Sequence, residues 1–328
     1  MTDGTAKEQG EPSGPRPGSA SHGADTPGVG AFRFAHLIAI ATAVATILVA
    51  VGAPATAVGG PVHGRAKIEV FPGKHALARA LAGAEVGDEL LLHTGSYHEH
   101  VTVSTQGLLI HPFGDGPVVV DGKCLAQVTI AVLASDVSII GLRVQGASEG
   151  FGGPPTEIDY EAVQGGLLSG VLAIDTCDAE YGVRVEAGGG VSLTGGAATG
   201  FSVAGIDLAG VTDPSGVKVV GMSSYENARG VVIEDSVGSS ASILITRSNV
   251  YSNVSSGIYV ANSDGIQVKS DTVTVNGTSG VELDGTSDRN RVEYVTSSGQ
   301  TYDMANDGGT GNCFVHDRYA TSFGTISC

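Results

Sequence analysis

The pattern Gly-apolar-x-apolar recurs at Gly182-Val-Arg-Val, Gly205-Ile-Asp-Leu, Gly230-Val-Val-Ile, Gly257-Ile-Tyr-Val and Gly280-Val-Glu-Leu, with spacings of 23, 25, 27 and 23 residues. Strict alternation over so few residues reads as a short β-strand rather than a helix. A second alternating run precedes each of the last four motifs: Val191-Ser-Leu193, Val217-Lys-Val219, Ile243-Leu-Ile245 and Ile266-Gln-Val268. Each unit therefore holds at least two strands. Leucine-rich repeats need their Leu and Asn signature, and propeller blades need roughly 40 residues or more. A chain that winds once per repeat, each strand stacked on its equivalent about 4.8 Å away, satisfies its backbone groups with neighbouring turns. The expected fold is all-β, a single-stranded parallel β-helix of roughly nine to eleven coils at about 24 residues each. Its turns are expected at Asn253, Asn262, Asp264, Asn276 and nearby glycines.

Composition agrees. Glycine makes up 50 of 328 residues, about twice its usual share of roughly 7%, and Trp is absent. The formal charge of −17 argues against nucleic acid or an anionic membrane surface as partner, since both require a basic footprint. An acidic polysaccharide is also repelled unless a cation or a local basic groove mediates contact.

Residues 1–31 are rich in Gly, Pro, Ser, Asp and Glu and are expected to be a disordered leader. The 15-residue apolar run Leu37 to Val51, within a hydrophobic segment spanning 32–57, is short for a membrane span of about 20 residues. Ala55-Thr56-Ala57 after it has the small-x-small pattern of signal-peptide cleavage, giving an exported β-helix domain over 58–328 with no stable membrane insertion after cleavage. The alternative is a membrane anchor at 37–51. A start near Val29 would leave a short leader carrying Arg33.

The stretch Val70 to Val103 contains a helical segment, then Gly87-Asp88, the strand Leu90 to Leu92, and Gly95, Tyr97 and Glu99 in a Gly-x-Tyr-x-Glu pattern. With Ala134 to Gly146 and the later repeats, it resembles right-handed parallel β-helix proteins of the pectate-lyase-like superfamily, over about Ile68 to Cys328. The resemblance implies a right-handed coil and an N-terminal capping helix. It leaves activity open, since such proteins include lyases, hydrolases, epimerases and non-catalytic members. A cap also has a physical reason, because an open β-helix end is an unpaired sheet edge. The segment His75 to Ala84 puts Leu77, Ala80 and Leu81 on one helical face suited to covering it.

Four cysteines in an exported chain are expected to be bridged. Cys313 and Cys328 share the C-terminal tail. Cys124 and Cys177 lie 53 residues apart, but Ser148 to Gly170 reads as a Gly/Pro-rich loop insertion of 23 residues. Removing it leaves about one coil, which brings these two within the roughly 4.4–6.8 Å Cα range of a disulfide. The insertion, carrying Phe151, Tyr160, Glu149, Glu157, Asp159 and Glu161, is expected to project from the stack, either as a binding loop or as plain surface.

His98 and His100 share one strand face near His93 and His111 but lack a third ligand at fixed spacing, so no metal site and no cofactor is assigned. The Asp-Gly pairs at Asp264, Asp284 and Asp307 read as turns. The Gly-His-Gly and Asn-Thr-Asp patterns of polygalacturonases and the Asp-Pro-His-Asp of alginate epimerases are missing. Few Lys or Arg are present to support lyase chemistry.

If the apolar residues of each motif point inward, the x position points out. That outer column reads Arg184, Asp207, Val232, Tyr259 and Glu282, and the column two residues on reads Glu186, Ala209, Glu234, Ala261 and Asp284. Asp207 then lies diagonally from Glu234, with Cα atoms roughly 8 Å apart, near the carboxyl separation of about 6.5–9.5 Å in inverting glycosidases. On this reading Asp207 and Glu234 are the candidate acid and base, and Arg184, Tyr259 and Glu282 are candidate substrate-binding residues. The plain alternative is a solvated acidic face in which Arg184 and Asp207 form a surface ion pair. Two functions stay open: a secreted enzyme acting on extracellular polysaccharide, an inverting glycoside hydrolase in its finer form, or a non-catalytic carbohydrate-binding or surface β-helix protein. The expected partner is polysaccharide or a cell-surface glycan, and a monomer is expected.

Overall fold

The computed structural model of the protein describes residues 65–150, 152–237 and 242–328. The leader, the apolar run at 37–51 and the cleavage pattern at 55–57 lie outside the described residues. From Lys67 onward the chain winds as a parallel β-solenoid. Ten parallel strands form one sheet, here the motif sheet, in the order Val101–Val103, Val128–Val132, Thr156–Glu161, Tyr181–Glu186, Ala204–Ala209, Arg229–Glu234, Ile258–Ala261, Ser279–Leu283, Tyr302–Asn306 and Ser322–Gly324. A second parallel sheet of 18 described strands supplies the rest of each coil, either as two short strands such as Val217–Val220 and Ser223–Tyr225 or as one long strand such as Gly189–Thr199.

The motif residues behave as alternation requires. Val183, Val185, Ile206, Leu208, Ile258, Val260, Val281 and Leu283 are buried between the sheets, while Arg184, Tyr259 and Glu282 face outward. The motif glycine has its own cause. A Cβ on Gly182 would lie 2.6 Å from the carbonyl oxygen of Gly205 in the next coil, and one on Gly257 would lie 2.8 Å from that of Gly280. Successive backbones approach too closely at this corner for any side chain.

Turns are held by side-chain ladders running along the stack. Asn253 Nδ2 donates to Asn276 Oδ1 (2.9 Å), and Asn253 Oδ1 accepts from the Asn227 backbone N–H (3.0 Å). Asn253 and Asn276 thus sit at turns as expected, but inside them, each only 3% exposed. Here they satisfy backbone groups that water cannot reach.

Ahead of the first coil lies the helix Ala76–Gly83, with Ala76, Leu77 and Leu81 buried. Glu99 accepts from the first helical N–H groups, Leu77 at 2.9 Å and Ala78 at 3.0 Å, a favourable place for a carboxylate. Tyr97 donates its hydroxyl to the Val70 carbonyl (2.6 Å). The Gly-x-Tyr-x-Glu pattern therefore fastens the helix to the coil beneath it.

Both expected disulfides are present, Cys124–Cys177 with Cα atoms 5.5 Å apart and Cys313–Cys328 with Cα atoms 4.4 Å apart. The route to the first differs from the sequence reading. The stretch 148–170 is not one projecting insertion. Thr156–Glu161 is a motif-sheet strand paired with Val128–Val132 and Tyr181–Glu186, and Gln164–Ile174 belongs to the second sheet. Of the described residues in this stretch, 148–150, 152–155, 162 and 163 lie outside strands, and Phe151 is not among the described residues. Glu157 and Asp159 disguised the strand by making it look polar. Glu157 is in fact fully buried, accepting from Thr129 Oγ1 (2.7 Å) and the Ala147 N–H (3.1 Å). Cys124 and Cys177 thus belong to coils two apart in the stack, nominally about 9.6 Å. The irregularity between Asp121 and Ala126, where Lys123 and Cys124 take left-handed backbone angles, closes that gap.

Candidate functional site on the motif sheet

The register places the outer columns as alternation predicts. Asp159, Arg184, Asp207, Val232, Tyr259, Glu282 and Ala305 are successive neighbours, and Glu161, Glu186, Ala209, Glu234 and Ala261 form the next column. Two centres arise on this face.

The first surrounds Arg184. Its Nε donates to Asp207 Oδ2 at 2.9 Å and its Nη1 meets Glu186 at 2.7 Å, while its guanidinium lies 5.4 Å from the Tyr181 ring centre. Asp207 has no exposed surface, which separates the pair from a solvated ion pair. Burial, reinforced by the Glu234 charge and opposed by Arg184, pushes its carboxyl up to about 7. Asp159, on the other side of Arg184 in the column, is pushed up to about 6 by burial against the pull of Arg184. Asp159 Oδ1 and Asp207 Oδ1 are both buried without a hydrogen-bond partner. A protonated carboxyl in either place removes the cost of an unpaired buried charge.

The second centre is a cleft of about 420 Å3 nearer the C-terminal end. Small residues make its floor: Ser256, Ser279 and Ala305 are buried. Large ones make its walls. Arg229, whose guanidinium lies 4.6 Å from the Tyr259 ring centre, lines the cleft together with Tyr302 and Phe323, whose ring centres are 5.5 Å apart. Glu282 accepts from the Ser256 hydroxyl, and Asp307 lines the same opening.

The expected residues therefore divide between the centres: Asp207, Glu234 and Arg184 at the first, Glu282 at the second, with Tyr259 beside it against Arg229. Sequence reasoning missed Asp159, hidden in the supposed insertion, Arg229, which precedes its motif glycine and so falls outside the alternating columns, and Asp307, read only as a turn residue. The histidines gather elsewhere. His93 stacks between Phe71 and Phe113 at 3.9 and 4.2 Å, and Asp115 at 2.8 Å holds its imidazolium above the usual histidine range. His98 lies 3.7 Å from Asp121. Among the described residues no three His, Cys, Asp or Glu side chains are grouped to hold a metal ion.

Residues 166–296 match the family model described as "Right handed beta helix region". Among solved structures, pectate lyase Pel9A superposes with a TM-score of 0.60 at 14% identity, covering 80% of this chain and 78% of that one. An alginate lyase from Paenibacillus sp. str. FPU-7 superposes with a TM-score of 0.53 at 13% identity, covering 80% of this chain and 99% of that one. No curated protein sequence matches the chain. The protein is a right-handed parallel β-helix repeat protein with the pectate-lyase-like fold. Its two disulfides fit an oxidising, extracellular setting, and no helix among the described residues is long and apolar enough to cross a membrane.

Proposed function

We propose that the protein is secreted and engages extracellular polysaccharide along the outer face of the motif sheet. The observation that carries this reading is the cleft lined by Arg229, Tyr302 and Phe323. It is a concavity bearing the aromatic rings of Tyr302 and Phe323 and a hydroxyl-bearing floor, and an aromatic face suits the C–H face of a sugar ring. The structural relatives, named as a pectate lyase and an alginate lyase, act on polysaccharide on a similar scaffold and support the same class of ligand. A glycan array on the secreted protein tests the proposal. Retention of one or more polysaccharides, lost in Tyr302→Ala, is the expected result; binding to none overturns it.

A catalytic form of this reading has one specific observation in its favour, the Asp207 carboxyl held near 7 beside Glu234. A protonated Asp207 would donate to the leaving oxygen and Glu234 would activate water on the opposite face, giving inversion. Arg184 must swing off Asp207 for this, because Asp207 has no exposed surface. Product analysis after incubation with the retained glycan separates catalysis from binding. The catalytic form fails if cleavage is found and survives both Asp207→Asn and Glu234→Gln.

A further inference from the structure

The charges lining the cleft are uncompensated on both sides. Arg184, Arg289 and Arg291 each pair with a carboxylate. Arg229 makes no ion pair among the described residues, and its buried Nε has no hydrogen-bond partner. Its guanidinium lies 4.6 Å from the Tyr259 ring centre. Across the same opening, Glu282 and Asp307 also lack a cation among the described residues. Glu282 pairs in register with Ala305, two residues before Asp307, so the two acids sit diagonally on neighbouring coils with Cα atoms about 8 Å apart. Glu282 and the nearby Asp284, together with burial as the leading cause, raise the Asp307 carboxyl above its ordinary value. A site holding one unpaired cation and two unpaired carboxylates around a common space is complementary to a ligand that carries both signs.

We propose that the cleft binds a zwitterionic sugar unit, its carboxylate on Arg229, its ammonium between Glu282 and Asp307, and its ring against Tyr302 and Phe323. This rests on the reading that the cleft is a saccharide site, and it makes the substrate class specific. Partition by charge also reconciles an acidic protein with an anionic substituent, because the carboxylate lands on the Arg229 guanidinium in the cleft while the ammonium meets the prevailing negative field. A plain polyuronate presents only the sign that Glu282 and Asp307 repel. A plain amino sugar leaves Arg229 unpaired.

Isothermal titration of the secreted protein with muramic acid, glucosamine, glucuronic acid and glucose tests this. Muramic acid carries a free amine and a carboxylate, the next two carry one charge each, and glucose carries none. Muramic acid is expected to bind about tenfold more tightly than either singly charged sugar, equivalent to about 1.4 kcal/mol for the added charge-assisted hydrogen bond. Arg229→Gln should erase the advantage over glucosamine and leave that over glucuronic acid; Glu282→Gln should do the reverse. The exposed Asp307→Asn repeats the second test at a position where misfolding is no concern. The inference is overturned if glucuronic acid or glucosamine binds as tightly as muramic acid, or if the variants lose affinity for all four sugars equally. Glucose or neutral glucans binding without any gain from charge would sink this inference while leaving the polysaccharide reading intact. Binding of no saccharide at all removes both.

Discussion

Replacing Asp207 by Asn should make the protein more stable at neutral pH and leave it nearly unchanged in acid. Asp207 is fully buried, one of its oxygens has no partner, and its carboxyl is raised from an ordinary 3.8 to about 7. The folded state therefore holds this proton more tightly than the unfolded chain does. Stability from the neutral form is fully present below about pH 4 and is lost as pH rises towards 7. A difference of about 3 pH units at about 1.36 kcal/mol each sets the loss at about 4 kcal/mol. Asn occupies the same volume and cannot ionise, so it keeps the fit and removes the loss. Urea unfolding of both proteins at pH 4, 5.5 and 7.5 measures it. The gap between variant and parent should widen by about 2–4 kcal/mol from the lowest to the highest pH. Glu157 and Asp271, also raised to about 7 by burial, add a common slope that cancels in the comparison. A gap that stays constant across the range would refute the assignment of a buried, proton-retaining carboxyl to this position.

Asn253→Ala should cost about 3 kcal/mol in chemical denaturation, because it removes the acceptor of the Asn227 N–H and Nδ2 and the donor to the Ser224 carbonyl. Gly257→Ala should destabilise by about 1–3 kcal/mol, since its Cβ meets the Gly280 carbonyl oxygen at 2.8 Å; an unchanged melting temperature would count against close coil approach. Removing the Cys124–Cys177 bridge as the double alanine variant should lower stability by about 4 kcal/mol for a closed loop of this length. Non-reduced peptide mapping of the parent should recover this linkage and Cys313–Cys328.

The solenoid was legible because its signals are local and repeat. Alternation at Gly257-Ile-Tyr-Val names the inward residues whatever lies above them, and the spacing of 23 to 27 residues names the residues that become neighbours. From those two facts the columns Arg184–Asp207 and Tyr259–Glu282 followed before any coordinates. Tertiary structure alone decided three things. It showed that Thr156–Glu161 is a coil strand, because only stacking against Val128–Val132 and Tyr181–Glu186 reveals that Glu157 turns into a polar niche at Thr129 and Ala147. It showed that Asp207 is buried, because an outward position becomes closed when the long side chain of Arg184 lies across it. And it made the cleft, which exists only where Ser279 and Ala305, small and far apart in sequence, lie between the large side chains of coils above and below. Pattern along a chain determines which way a residue points. What that residue then meets depends on the sizes and charges of neighbours a full turn away.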